Sequence, residues 1–302
     1  MQTDRPFLGV LFMLAFCVLA PLGDSVAKLL GETVPLGMLI LVRFAVQAAI
    51  LLPLVFWAGQ TLRLPNGLLG LTLTRTILHI LGIGMMFSSL RFLPLADAIA
   101  IAFVMPFLML LLGHFVLGEH VGPQRIAACA VGFIGTLMVI QPNFVEVGYP
   151  ALLPLGVAVV FSLFMLVTRQ IAKKIDPIKL QAISGLQATA IVLPALLLLP
   201  NLPGLGFVPV TSSTLPMLAI LGVLGTVAHL FMTWSLRFAP SATLAPMQYL
   251  EIPIGTIIGW LIFKDLPNGL AAIGICITVA AGLYIIVRER RLSQQTSNPA
   301  AE

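Results

Sequence analysis

The run from Ala239 to Phe263 holds a single charged residue, Glu251, near the middle of a stretch long enough to cross a bilayer. A charge at that depth costs roughly 2.5–3.5 kcal/mol on insertion scales, so such groups pair with a partner or face a polar cavity. Pro246 and Pro253 bracket Glu251, and each lacks an N–H and so frees a carbonyl one turn back. Gln248 lies three residues earlier and shares its face, with Tyr249 beside it. A kinked helix with free carbonyls, an amide and a carboxylate can bind a solute or carry a proton. The same carboxylate can equally form an ion pair with Arg43 or Arg75 that ties helices together.

Further polar residues interrupt other apolar runs. Arg75 and His79 are four apart on one helical face, with Thr72 just before them. Arginine there would neutralise Glu251 or hold an anionic solute, and histidine titrates near neutral pH. His229 and Trp234 could hydrogen-bond or stack on an aromatic solute, although Trp234 also suits an interfacial belt. Asp24 and Lys28, four apart beside Ser25, read as an exposed pair of little energetic worth or as an outer gate. Asp97 opens a helix, where a carboxylate suits the N-terminal dipole. His114 reads as packing, Glu119 and Lys264–Asp265 as helix ends, and Gly255 with Gly259 as a GxxxG helix contact.

Several chemistries are excluded on spacing. Cys17, Cys129 and Cys276 lie far apart in apolar runs without CxxC, and they read as small buried hydrophobes. No metal and no cofactor is expected. HExxH and GxSxG are absent, which argues against an intramembrane enzyme. GIG at 82–84 lies mid-span with no following loop, so no dinucleotide site is read there. No ATP-binding motif is present. A channel differs in class from a carrier and would show flux without saturation.

The positioning elements follow from composition. Of 302 residues, 59% are hydrophobic and 9% charged, against about 25% charged in soluble domains, so the chain is an all-α integral membrane protein. About 20 apolar residues cross a bilayer as helix, which predicts ten spans near 7–27, 36–57, 67–90, 95–117, 125–141, 150–169, 180–199, 215–236, 242–263 and 269–287. The first run lacks a small-residue cleavage site and reads as a helix rather than a signal peptide. Residues 288–302, rich in Ser, Gln, Asn and Ala, read as a disordered cytoplasmic tail. With the N-terminus inside, Arg5, Arg63, Arg125, Arg169, Lys173, Lys174, Lys179, Arg237, Arg288, Arg290 and Arg291 fall on the cytoplasmic side. Only Lys28, Arg91 and Lys264 fall outside, so both termini are placed in the cytoplasm. Cations dispersed in this way do not make a nucleic-acid surface.

An internal repeat sets the architecture. "SLRFLPLADA" at 89–98 matches "SLRFAPSATL" at 235–244 under a shift of 146, which also pairs Gly113 with Gly259, Glu119 with Asp265 and Leu137 with Leu283. Five spans per repeat is odd, so the halves enter the membrane in opposite senses. Inverted repeats of this kind characterise secondary transporters, with the solute near the midplane between them.

Taken with "GDSVAKLL", "VPLGMLILVR", "LLLGHFVLGEHVGPQRIAACAVGFIGTLMVI" and "GTIIGWLIFKDLPNGLAAIGICITVAAGLYII", the sequence resembles the EamA family of the drug/metabolite transporter superfamily over nearly its whole length. The resemblance implies two five-helix repeats, 1–141 and 150–287, around a cavity lined mainly by helices one, three, four, six, eight and nine. Helices five and ten would lie peripherally. It also implies that helix two stands away from the centre, which makes Arg43 with Gln47 a structural pair. Asp265 departs from the usual Glu at a helix end. The implied partners are a small-molecule solute and the lipid bilayer of a bacterial inner membrane, with a homodimer left open. "MQYLEIPIGTIIGWLIF" with "DSVAK" is similar to a branch of riboflavin and S-adenosylmethionine uptake carriers. The expected function is therefore alternating-access transport, with riboflavin uptake first and S-adenosylmethionine uptake or amino-acid and metabolite export as alternatives.

Overall fold

A computed structural model describes residues 5–118 and 122–296 of the chain. Among the described residues there are twelve α-helices, one 3-10 turn at Tyr149–Leu152, and no strand. The first half comprises α1 (Pro6–Leu30), α2 (Leu36–Trp57), α3 (Leu68–Ser89), α4 (Leu95–Ala102), α5 (Met105–Leu117) and α6 (Pro123–Val147). The second comprises α7 (Leu153–Ala172), α8 (Pro177–Leu198), α9 (Thr214–Phe238), α10 (Ser241–Gln248), α11 (Glu251–Phe263) and α12 (Gly269–Thr296). Among the described residues, eight stretches are long and apolar enough to span a membrane, with α4 and α5 counted as one, while α11 and the first part of α12 are apolar but shorter.

The predicted spans 95–117 and 242–263 are each broken in two. The breaks fall at Phe103–Val104 and Tyr249–Leu250, positions related by the same shift of 146. Pro106 cannot donate to the Ala102 carbonyl and Pro253 cannot donate to that of Tyr249, so each helix restarts with its proline in the new first turn. Position 246 falls inside α10, so Pro246 does not mark a break. Both second segments end in the left-handed region, α5 at Gly118 (φ 66°) and α11 at Lys264 (φ 60°), again 146 apart. The predicted tail needs correction, because α12 runs on to Thr296. Arg288 to Gln295 are mostly Arg, Glu, Gln and Leu, which are good helix formers. Residues 297–302, and Glu119 at the predicted helix end, lie outside the described residues.

The halves interlock pairwise. α1 packs on α9 and α3 on α7, α2 packs on α8 and α6 on α12, and exchanging the repeats maps this set of contacts onto itself. The broken helices meet too, α4 against α11 and α5 against α10. Close approach depends on small residues. A Cβ on Gly185 would lie 2.9 Å from the Ala48 nitrogen, which brings α8 onto the backbone of α2. Gly255 faces Ile99 of α4, so the GxxxG segment does pack helices. Outward faces remain apolar, with Trp57, Leu198 and Phe115 largely exposed where lipid would cover them.

Candidate functional site

Glu251 is the first residue of α11 rather than the middle of a continuous helix. A carboxylate there sits at the positive end of the helix dipole. The helix break thus offsets part of the cost of burying it. Among the described residues Glu251 forms no ion pair with Arg43 or Arg75, contrary to the pairing the sequence suggested; its Oε2 makes no hydrogen bond and the residue is 8% exposed. Each arginine is engaged elsewhere, Arg43 by Gly225 and His229 of α9 and Arg75 by hydroxyls on α7, α8 and α9.

A central cavity lies between the repeats, with about 70 Å³ of space open to the centres of water-sized molecules. Its polar lining is Asp24 (α1), Arg43 (α2), His229 (α9) and Glu251 (α11). Phe16, Phe87, Phe103 and Phe161 supply aromatic walls. Arg43 on the second helix corrects the expectation that this helix stays away from the centre. Gly225 makes room for it, since a Cβ there would lie 2.7 Å from Arg43 Nε.

Arg43 Nη2 donates to His229 Nδ1 at 2.7 Å and to the Gly225 carbonyl at 3.4 Å. Arginine has only donors, so His229 Nδ1 must accept, and the proton of the neutral ring then sits on Nε2. Nε2 and Arg43 Nη1 both lack a hydrogen-bond partner. The cavity therefore offers two donors, from Arg43 and His229, and two carboxylates, from Asp24 and Glu251. The expected Asp24–Lys28 pair is absent. Lys28 Nζ instead donates to the Leu93 carbonyl at 2.9 Å, pairs with Asp265 at 3.5 Å and lies 4.9 Å from the Phe263 ring centre, so it ties α1 to the end of α11. Asp24 is thereby left to face the cavity.

The other predicted residues take supporting positions. Arg75 is fully buried and does not line the cavity. It donates to Thr168 Oγ1 (2.8 Å), Ser184 Oγ (2.7 Å) and Thr233 Oγ1 (3.4 Å), three acceptors on α7, α8 and α9. Its guanidinium carbon lies 4.6 Å from the Phe164 ring centre. His79 is stacked between Phe164 (4.5 Å) and His229 (4.4 Å), and neither ring nitrogen is hydrogen-bonded. Gln47 donates to Gln181, whose own amide donates to the His229 carbonyl and Thr233, completing a polar layer between α2, α8 and α9. Gln248 lies within reach of the Met165 sulfur at 3.2 Å. Tyr249 packs on the glycine faces of α6 and α12 and against Phe103, its repeat counterpart, at 5.7 Å. Trp234 stacks on Phe12 at 5.3 Å and does not line the cavity. Asp97 accepts from Asn143 at 2.9 Å, which joins α4 to α6.

Sequence reasoning missed Gln181, Ser184, Thr168 and Thr233. Uncharged hydroxyls and amides in apolar helices carry little signal until a guanidinium is brought to them. No group of His, Cys, Asp and Glu among the described residues is arranged to hold a metal.

These features define a multi-pass helical membrane protein of two related halves with a polar site between them. The EamA-like transporter family matches residues 7–141 and again 149–288. The chain belongs to that family and is a transporter of small molecules, not an enzyme. It is 32% identical over 225 residues to a riboflavin transporter of Rhizobium johnstonii, covering 72% of this chain and 70% of that one. It is 24% identical over 290 residues to an S-adenosylmethionine uptake transporter of Rickettsia prowazekii, covering 94% of each. A solved crystal structure superposes with a TM-score of 0.69 at 20% identity, over 95% of this chain and 98% of that one, which shows the shared fold.

Proposed function

We propose that the chain is a secondary active transporter of ten membrane crossings, five per repeat, that takes up riboflavin across a bacterial inner membrane. Both termini face the cytoplasm in this reading, as the distribution of Lys and Arg favours. The observation that carries the solute class is the central cavity, in which aromatic walls surround two donors and two carboxylates. A planar heteroaromatic ring with donor and acceptor edges matches that lining. Rocking the two interlocked halves about the cavity would expose it to each side in turn. Similarity to the Rhizobium riboflavin transporter supports the choice of solute.

The test is uptake of labelled riboflavin by bacteria lacking their own importer, with and without this gene. Saturable uptake that unlabelled riboflavin competes away is expected. No uptake by verified, membrane-inserted protein overturns the riboflavin reading. S-adenosylmethionine is the second reading, favoured by two carboxylates facing a cavity with one arginine and by the Rickettsia relative; the same cells with labelled S-adenosylmethionine test it.

A further inference from the structure

The walls of the central cavity carry an unequal set of charges. Asp24 from α1 and Glu251 from α11 are carboxyl groups, while Arg43 is the one cationic side chain in the lining, among the described residues. Arg75 is fully buried one layer away, where three hydroxyls hold it, and His79 next to it is enclosed by aromatic rings. Neither lines the cavity. Arg43 is itself partly committed, because its Nη2 is used by His229 and the Gly225 carbonyl. Glu251 is more than nine-tenths buried, and its Oε2 has no donor from the protein. An occupant of the cavity is thus asked for more donors or positive charge than the walls supply.

Resting on the proposed riboflavin-type site, we infer that Asp24 and Glu251 make the cavity selective by net charge, admitting heteroaromatic solutes that are neutral or net cationic and excluding their phosphorylated, net anionic analogues. A phosphate brought between these walls would face two carboxyl groups against a single guanidinium that is already shared with His229. Repulsion between like charges is far less screened in such a site than in water. Asp24 is the specificity-determining member that sequence pairing hid, since its expected partner Lys28 is held by Asp265 and Leu93.

Purified protein in lipid nanodiscs, assayed by equilibrium binding, tests the inference with two matched pairs. Riboflavin and riboflavin 5′-phosphate share a ring and differ by the phosphate. S-adenosylmethionine and S-adenosylhomocysteine differ by the methyl group that gives the sulfonium its charge. The unphosphorylated and the cationic members are expected to bind tighter by about tenfold or more, and Asp24→Asn and Glu251→Gln are each expected to narrow both gaps. The wild-type comparison alone decides the matter should either variant fail to fold. Riboflavin 5′-phosphate binding as tightly as riboflavin overturns charge selection and leaves the riboflavin reading standing. Binding of S-adenosylmethionine over S-adenosylhomocysteine without riboflavin binding upholds charge selection and replaces the proposed solute. Failure of every probe to bind folded wild-type protein overturns both.

Discussion

Arg75→Lys separates a structural arginine from a solute-binding one. The guanidinium reaches three helices through three different nitrogens: Nε to Thr168 on α7, Nη1 to Ser184 on α8 and Nη2 to Thr233 on α9. Lysine keeps the charge but is a point donor on a flexible stem, and it cannot reproduce a planar fork. A hydrogen bond to a charged group contributes about 1.5–3 kcal/mol net. The 3.4 Å contact to Thr233 counts for little, since it exceeds ordinary bond lengths. Loss of one of the two short bonds, together with the stack on Phe164, gives an expected loss of about 2–3 kcal/mol. The cost stays bounded because Thr168 and Thr233 still donate to the Phe164 and His229 carbonyls of their own helices. The assay is thermal unfolding of purified protein in detergent, beside solute uptake at matched expression. A clear drop in the unfolding midpoint is expected, with any loss of uptake tracking the loss of folded protein. An unchanged midpoint with abolished uptake would refute the reasoning and return Arg75 to the solute.

Three further perturbations probe the cavity and its closure. Gly225→Ala places a methyl 2.7 Å from Arg43 Nε, so the guanidinium must leave His229; uptake should fall roughly tenfold through loss of a charged hydrogen bond, and unaltered uptake would show that Arg43 is idle. Glu251→Gln should abolish uptake while the amount of protein in the membrane fraction stays the same, whereas normal uptake would remove Glu251 from the mechanism. Reversing Lys28 or Asp265 singly should lower stability by up to about 1 kcal/mol, the modest value fitting side chains 19% and 39% exposed. Exchanging the two should restore it, and a double exchange no better than either single change would refute the pairing.

The sequence by itself determined the class of protein. A chain 59% hydrophobic and 9% charged cannot be a soluble domain, and a gapless shift of 146 from Ser89 to Ser235 exposes two halves. Both signals are carried by composition and by residues near in sequence, and both survive without coordinates. It also singled out Glu251, Arg75, His79 and His229, because a polar group in an apolar run is conspicuous wherever it points.

Only the tertiary structure decided what each of them faces. Helical spacing placed Asp24 beside Lys28, yet Asp265, 237 residues later in the chain, takes the lysine and leaves Asp24 to the cavity. Arg75 and Arg43 looked alike as buried cations, and their roles part on the neighbours α7, α8 and α9 bring: three hydroxyls for one, a histidine and an open glycine face for the other. Glu251 gained its place at a helix start because Pro253 breaks the span and α4 packs against the new segment. Periodicity reports which residues share a face of one helix. Which face meets which helix depends on contacts between distant segments, and those are set by packing that no local pattern encodes.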